Sequence, residues 1–446
     1  SAEYVSDLED HFYKMMIHRE FTPAGRTVTN AGAKTDTVAN CIVLPIDDSM
    51  DSIFKTLKDA ALLQKQGAGI GFSFSRLRGR GSSIAKKPLG KATGPVSFLK
   101  LYNAAFSVVW EADKRQGAYM GILRVDHPDI EEFVTAKEKE GEISKFNISV
   151  GITDAFMRAV EIDGNFDLID PRTKQVAQTI RAKALFDKIV RYAWRNGEPG
   201  LAFLDEVNRT NPVPGLGEIE SSNPCGEQFL HPYDVCNLGS INLEAFVENG
   251  MIDYGRLKKV TRQAVRMLDN VVDDSNFTVS EVERVSKGNR RIGLGAMGFA
   301  YMLYQLGIRY GSPASLDVAE KVMGTIQDEA HKTSQALAEE KGVFANYELS
   351  IYAGKGMPMR NAALTTVAPT GKISMIFDTS SGIEPEFALV YYKRDGQENK
   401  YYYTNKYLER ALKERHLYSQ EIMEKIAETG SLQGLDAIPR ELKEVF

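Results

Sequence analysis

Cysteine is scarce in this chain: 446 residues hold three, Cys41, Cys225 and Cys236. An odd count with no CxxC spacing excludes a disulfide-stapled scaffold and a zinc knuckle. The six histidines (His11, His18, His127, His231, His331 and His416) form no HExxH or other close pair, so no local metal site is expected. No run approaches the ~18 apolar residues of a membrane span. The first residues are charged where a secretory signal would be apolar, so a cytoplasmic, reducing location is expected, in which thiols stay available for redox work. An excess of positive charge is lacking too. A net charge of -5 and a pI near 5.9 give no field for nucleic acid, so small molecules and proteins are the expected partners, with neither membrane nor nucleic acid. Repeats, low-complexity tracts and clear linkers are also missing, which leaves one domain over residues 1–446 as the expectation.

What is present alternates between strand-like and helix-like stretches. Residues 4 to 18 read as a helix, and Pro23 and Gly25 break it. Asn40 to Pro45 is a short apolar run of strand type, placing Cys41 near a strand start. Asp48 is the expected cap of a helix with apolar residues at Met50, Ile53, Leu57, Ala60 and Ala61, stopped by Gly67. Gly67-Ala68-Gly69-Ile70-Gly71 lacks GxGxxG spacing and follows a helix rather than a strand. Its glycines are therefore read as permitting close backbone approach, and a dinucleotide fold is rejected. A strand over 70–74 leads to the basic loop Arg76-Leu77-Arg78-Gly79-Arg80, either solvated surface or a phosphate seat.

The helix over 95–110 is apolar on nearly every side, so a core or a partner chain must cover all of it. A polar loop, Lys114 to Gly121, follows. Strands are expected at 146–150 and 166–169, and helices at 152–161, 182–195, 256–272 and 313–341, the last capped by Ser312 with Pro313 in its first turn. This alternation implies a parallel α/β architecture. Farther on, apolar Leu364 to Val367 precedes Ala368-Pro369-Thr370-Gly371-Lys372-Ile373-Ser374. A strand ending in a Gly and hydroxyl loop before a helix suits phosphate, although Thr366 and Ile373 stand where a Walker loop needs Gly and Ser/Thr.

The stretch that organises the chain is Ser222-Asn223-Pro224-Cys225-Gly226-Glu227-Gln228, which sets an amide, a thiol and a carboxyl at alternate positions. In an extended segment all three would face one pocket, while Pro224 and Gly226 argue for a tight loop held across a cavity. Taken singly, each cysteine reads most simply as a small buried apolar residue. A hydrolase with Cys225 as nucleophile and His231 as base is a rival, but no oxyanion site supports it and Asn223 and Glu227 would go unexplained. A non-catalytic nucleotide-binding fragment is the third reading.

The whole phrase Gly217 to Gln228, followed by Val235-Cys236-Asn237-Leu238-Gly239-Ser240-Ile241-Asn242-Leu243, closely resembles the active-site loop of ribonucleotide reductases, nearest the adenosylcobalamin-dependent class II enzymes. The resemblance runs in order from about Phe21 to the C-terminus. It implies a ten-stranded α/β barrel of the ribonucleotide reductase and glycyl-radical type, here expected to lack its last strands, with a second polypeptide as one way to complete it. No additional ATP-cone domain is expected. It implies that Cys225 becomes the thiyl radical that takes the 3′ hydrogen, Glu227 the base for the 3′-hydroxyl and Asn223 the amide on the ribose hydroxyls. Cys41 and Cys236 become the pair that reduces the 2′ carbon and ends as a disulfide, re-reduced by an external dithiol. The bottom-up chemistry agrees: no polar side chain removes an unactivated C–H, so a cofactor must supply that reactivity, and a dithiol is a natural two-electron donor.

By the same resemblance Pro369, Thr370, Gly371, Ser374, Thr27 and Gly69 bind the ribonucleotide substrate, and Asp48, Arg78, Lys114 and Arg115 bind a deoxynucleoside triphosphate effector. The helices from Asp48 and over 95–110 form a homodimer interface, and 114–118 becomes a specificity loop between effector and substrate. Adenosylcobalamin is the implied cofactor, with a radical from a metal-containing partner subunit, as in class I, the alternative. Tyr391 and Tyr392 are read as packing rather than as a radical-transfer pair.

Overall fold

The computed structural model describes residues 2–32, 37–39, 41–84, 90–111, 117–394 and 400–446. Lys114 and Arg115 therefore lie outside the described residues. The chain opens with helix α1 (Ala2–Ile17), strand β1 (Phe21–Pro23) and the short helix α2 (Gly25–Asn30). Strand β2 (Cys41–Leu44), helix α3 (Met50–Lys65), strand β3 (Gly69–Ser73), helix α4 (Pro95–Glu111), strand β4 (Tyr119–Arg124) and strand β5 (Phe146–Ile152) follow.

β2, β3, β4, β5 and the strand Gly200–Phe203 run parallel in one six-stranded sheet, whose other edge is Val235–Cys236, antiparallel to β2. β2 to β5 are almost wholly buried, as parallel strands covered on both faces must be, while the edge strand Gly200–Phe203 keeps only Ala202 buried. Ile70, Phe72, Tyr119, Phe146 and Ile148 join Leu63 of α3 and Tyr102 and Phe106 of α4 in the largest core cluster.

A second, three-stranded sheet joins β1 to Leu238–Asn242 and then, in parallel, to Gly293–Met297. The segment at Leu364 adds a parallel bridge from Thr365 to Leu294, a single bridge in place of the strand the apolar run suggested. Thr366 at that point gives its hydroxyl hydrogen to the Glu227 carbonyl oxygen, 2.8 Å away, and so serves the central loop. The long helices Tyr254–Asp274 and Pro313–Lys341 pack together and supply the core behind this sheet. The two sheets are joined at Asn237, since Val235–Cys236 belongs to the first and Leu238–Asn242 to the second. This is the mixed architecture of the barrel that the resemblance implied. Among the described residues no helix is long and apolar enough to cross a membrane.

Three local expectations are corrected. The cap of α3 is Ser49, whose hydroxyl accepts from the Ser52 N–H, while the Asp48 carboxylate is taken by Arg78. The strand near Phe166 (Asn165–Ile169) pairs with Val176–Arg181 as an antiparallel hairpin and does not extend the parallel sheet. The basic loop is neither free nor merely solvated: Arg76 pairs with Asp47 and Glu220, Arg78 with Asp48, and Arg80 with Glu132. Tyr391 stacks on Tyr403 at 5.1 Å and 12° across a two-stranded hairpin, which is packing as read.

Candidate active site

Cys41 opens β2 and stands directly opposite Cys236 in the antiparallel register. Opposed residues on such strands have Cα atoms about 4.5–5.5 Å apart, inside the ~4.4–6.8 Å window of a disulfide. All three cysteines are free in this structure. A side-chain hydrogen bond with Cys41, followed by complete burial, holds the Cys236 thiol well above its usual pKa. Cys236 thus keeps its S–H in apolar surroundings of Val43, Leu230, Leu238 and Ala368, against which Cys41 packs.

Over this pair lies a hairpin of Ser221–Ser222 and Phe229–Leu230. Its tip is a turn, Asn223 to Gly226, closed by the Gly226 N–H on the Asn223 carbonyl at 3.1 Å, with Gly226 at φ +82°. The tight loop is therefore what forms, and the extended alternation of Asn223, Cys225 and Glu227 does not persist through it. Sequence dictates this: Pro224 suits the second turn position and Gly226 the left-handed fourth. Below the tip the Asn223 side-chain oxygen accepts from the Gln228 N–H at 3.0 Å, which fixes the amide plane.

Why the hairpin can lie so deep is answered by two glycines of β3. A Cβ on Gly71 would stand 1.8 Å from the Ser222 carbonyl oxygen, and one on Gly69 would stand 3.0 Å from Pro224 Cγ and 3.2 Å from Cys41 Sγ. Close backbone approach was the reading of this run from sequence. Gly69 thereby borders both Cys41 and the turn. Asn147 of β5 pins the turn from the far side, donating from Nδ2 to the Pro224 carbonyl at 2.9 Å. Sequence reasoning missed the holding roles of Asn147 and Thr366; a single polar residue in an apolar run carries no signal of what it holds.

The electrostatics distinguish the three thiols. Cys225 is exposed at the turn while Cys236 is buried and Cys41 lies between. The residue reaches solvent, yet its sulfur is partly desolvated, and that desolvation, then the Glu227 carboxylate and Cys41, push the Cys225 pKa up to about 12. Cys225 therefore stays protonated at neutral pH, the opposite of the depressed pKa that a thiolate nucleophile needs. His231 does not help it: its Nε2 lies 3.2 Å from both the Asn211 amide nitrogen and the Gly217 carbonyl oxygen, and burial lowers its pKa. The hydrolase reading loses its base and its thiolate together.

Two polar atoms stand ready beside Cys225. Asn223 Nδ2 and Glu227 Oε2 are buried with no hydrogen-bond partner. Leaving such groups unpaired costs about 1–3 kcal/mol each, a cost a site recovers only when a ligand supplies the partners. Asn237, between Cys236 and the second sheet, has both amide atoms in the same condition. Among the phosphate candidates, Thr370 has φ +55° and its hydroxyl accepts from the Gly382 N–H at 2.7 Å, fixing the loop at the start of the helix Gly371–Phe377. Ser374 is buried in that helix and Pro369 precedes it, next to Ala368 of the cysteine cluster. Thr27 of α2 gives its hydroxyl hydrogen to the Val38 carbonyl at 2.9 Å, tying α2 to the segment before β2. Its hydroxyl hydrogen is spent on the fold.

Of the assigned effector residues, Asp48 and Arg78 are described, just before α3 and just after β3. Arg78 donates from Nε to both Asp48 carboxylate oxygens, at 3.0 and 2.8 Å, and from a terminal nitrogen to the Ser83 carbonyl. Asp48 also lines a surface cavity of 730 Å³ with Arg76, Arg124, Arg172 and Lys174.

Comparison with known proteins agrees in sequence and in shape. The family described as ribonucleotide reductase, barrel domain, matches residues 39–358 and 353–446. The chain is 47% identical over 441 residues to a vitamin B12-dependent ribonucleoside-diphosphate reductase of Thermoplasma acidophilum, covering 98% of this chain and 57% of that protein. A protein of the same description from Mycobacterium tuberculosis H37Rv is 45% identical over 438 residues, covering 98% and 62%. Among solved structures, an Actinobacillus ureae class Id ribonucleotide reductase alpha subunit superposes with a TM-score of 0.80 at 26% identity, covering 98% of this chain and 77% of that one. The chain spans about three fifths of the length of the two curated relatives.

Proposed function

The chain belongs to the ribonucleotide reductase family, and we propose that it is a catalytic chain that reduces ribonucleoside diphosphates to 2′-deoxyribonucleotides by thiyl-radical chemistry. One observation carries the reading: an opposed cysteine pair beneath a turn that presents a protonated thiol, with an unpaired amide nitrogen on Asn223 and an unpaired carboxylate oxygen on Glu227.

The roles follow from what each group has to give. Cys225 gives up the hydrogen atom of its S–H, and its sulfur then takes the hydrogen from C3′ of the ribose. Glu227 accepts the proton of the 3′-hydroxyl, general-base work that contributes about 10²–10⁴-fold. Asn223 donates from Nδ2 to a ribose hydroxyl and fixes the sugar. The C2′–O bond breaks and the oxygen leaves as water, protonated from the Cys41 and Cys236 pair. That pair gives up two electrons and two protons in all and closes to a disulfide, while Cys225 returns a hydrogen to C3′. The sum balances as one alcohol and two thiols giving one C–H, one water and one disulfide. An external dithiol then restores the pair by exchange. The diphosphate is received at Pro369 to Ser374, where Gly371 begins a helix whose N-terminal end favours an anion.

Adenosylcobalamin is the radical source this reading favours, since both relatives above are named vitamin B12-dependent. The residues fit it: Cys225 is the exposed cysteine, it keeps its S–H, and Pro224 and Gly226 flank it where the cofactor would be received. When bound, the cofactor supplies the one-electron reactivity that no side chain here has. Asp48 and Arg78 contact a deoxynucleoside triphosphate, with 114–118 as the loop between effector and substrate. α3 and α4 pair with the same helices of a second copy, a proposal supported by apolar side chains left exposed on both: Met50, Phe54 and Leu62, and Leu101 and Val108. The test is turnover of a ribonucleoside diphosphate with adenosylcobalamin and a dithiol. Deoxynucleotide is expected; turnover only with a diferric-type partner subunit would move the chain to class I, and none with either would overturn the reading.

A further inference from the structure

Two consecutive arginines address two buried aspartates, one from the helix behind the second sheet and one beside the edge strand of the first. Arg290 takes the left-handed conformation, φ +47°, at the end of the helix Ser280–Asn289. Its Nε donates to Asp269 of the helix Tyr254–Asp274 at 2.9 Å. Arg291, next in the chain, donates from Nε to Asp234 Oδ2 at 3.0 Å, and Asn289 Nδ2 donates to the same oxygen at 3.0 Å. The other oxygen of Asp234 accepts the Val235 N–H at 2.9 Å. All three side chains are enclosed, Asp234 and Asn289 at 0% exposure and Arg291 at 5%.

A buried ion pair is a poor source of stability, because apolar residues of like volume often serve as well or better. What directed bonds add is a fixed place, and the place fixed here is that of Cys236. Its strand, Val235–Cys236, is two residues long, lies at the edge of the first sheet and, among the described residues, pairs there with β2 alone. So short a ladder fixes little by itself. Upstream, the Asp234 carboxylate ties the strand to Asn289 and Arg291; downstream, the Asn237 carbonyl accepts the Gly293 N–H at 2.8 Å. Cys236 stands between these two anchors, opposite Cys41.

We propose that Asp234, Asn289 and Arg291 are positioning residues for the thiol pair: by locking the strand they keep Cys236 within bonding reach of Cys41 and raise the effective concentration of one thiol toward the other. This rests on the nucleotide-reducing reading above, in which the pair supplies the electrons, and adds to it the residues that set how readily it does so. They act through the Val235 backbone, which Asp234 holds.

The test uses the full chain and needs neither nucleotide nor radical source. The chain is equilibrated with mixtures of reduced and oxidised glutathione. One glutathione disulfide becomes two thiols as Cys41 and Cys236 lose their two hydrogens and join, and peptide mapping counts the product. Asn289→Ala and Arg291→Met each remove one bond to Asp234. In both, the effective concentration of the pair should fall about tenfold, the worth of roughly one hydrogen bond to a charged group. Asp273→Asn is the control: it weakens the carboxylate that Arg290 holds at 2.6 Å, and should lower the melting temperature while leaving the thiol equilibrium unchanged. If Arg291→Met does not fold, Asn289→Ala decides alone. An equilibrium unchanged in the folded variants, or shifted as far by Asp273→Asn, overturns the assignment and leaves the nucleotide reading intact. A parent that forms no Cys41–Cys236 disulfide at any glutathione ratio overturns the reading on which the assignment rests.

Discussion

Cys225 keeps its proton, and that separates hydrogen-atom chemistry from nucleophilic chemistry at a single sulfur. With its pKa pushed up to about 12 by burial, Glu227 and Cys41, the thiolate is a minor form anywhere near neutrality. The sign follows from linkage: the folded chain holds this proton above the pH at which the unfolded thiol, near 8.5, has lost it. Its contribution to stability is present below that pH and lost as pH rises toward 12. Alkylation of Cys225 by iodoacetamide should therefore climb about tenfold per pH unit from 8 to 10 without levelling. A plateau reached by pH 8 would mean a low-pKa thiol and would revive the nucleophile reading. The chemistry at this residue was legible in the sequence because Asn223, Cys225 and Glu227 sit within five residues. The Asn147 and Thr366 contacts that steady them were not legible, because they bring together positions 77 and 139 residues apart.

At the scale of elements, the hairpin Ser221 to Leu230 and the strand β3 fit only because β3 is nearly bare where they meet. Gly71→Ala sets a methyl against the Ser222 carbonyl, where the unshifted gap is 1.8 Å, and overpacking of this kind costs about 1–3 kcal/mol. The hairpin, held at its tip by one bond from Asn147, is the part that yields. Deoxynucleotide formation should be lost while Cys41 and Cys236, on strands that do not move, still close to a disulfide on mild oxidation. Thiol counts and activity on the same sample check this; full activity in Gly71→Ala would mean that the hairpin is not seated as described. Element existence was readable from periodicity and caps, including the helix from Pro313 to Lys341 with its Ser312 cap. Pairing was not: nothing in Asn165–Ile169 says that it folds back on Val176–Arg181 instead of joining the parallel sheet. The cap of α3 went to Ser49 because Arg78, thirty positions away, claims Asp48.

For the molecule as a whole, the two sheets meet at Asn237, and the thiol pair and the turn sit at that seam. The outer faces of α3 and α4 lie on the opposite side of the first sheet's core, and their exposed Phe54 and Val108 should be covered by a second copy. Replacing both by Glu should convert a dimer to a monomer in sedimentation; a parent that sediments as a monomer at micromolar concentration contradicts the interface. In the proposed chemistry one thiol starts the reaction and two others supply its electrons. The measurement closest to it is a single turnover without external reductant, in which deoxynucleotide formed per chain is compared with the disulfides found by peptide mapping. One product per chain is predicted, matched by one Cys41–Cys236 disulfide, with Cys225 still a thiol. Product formed while Cys41 and Cys236 stay reduced, or a disulfide that includes Cys225, would contradict the account.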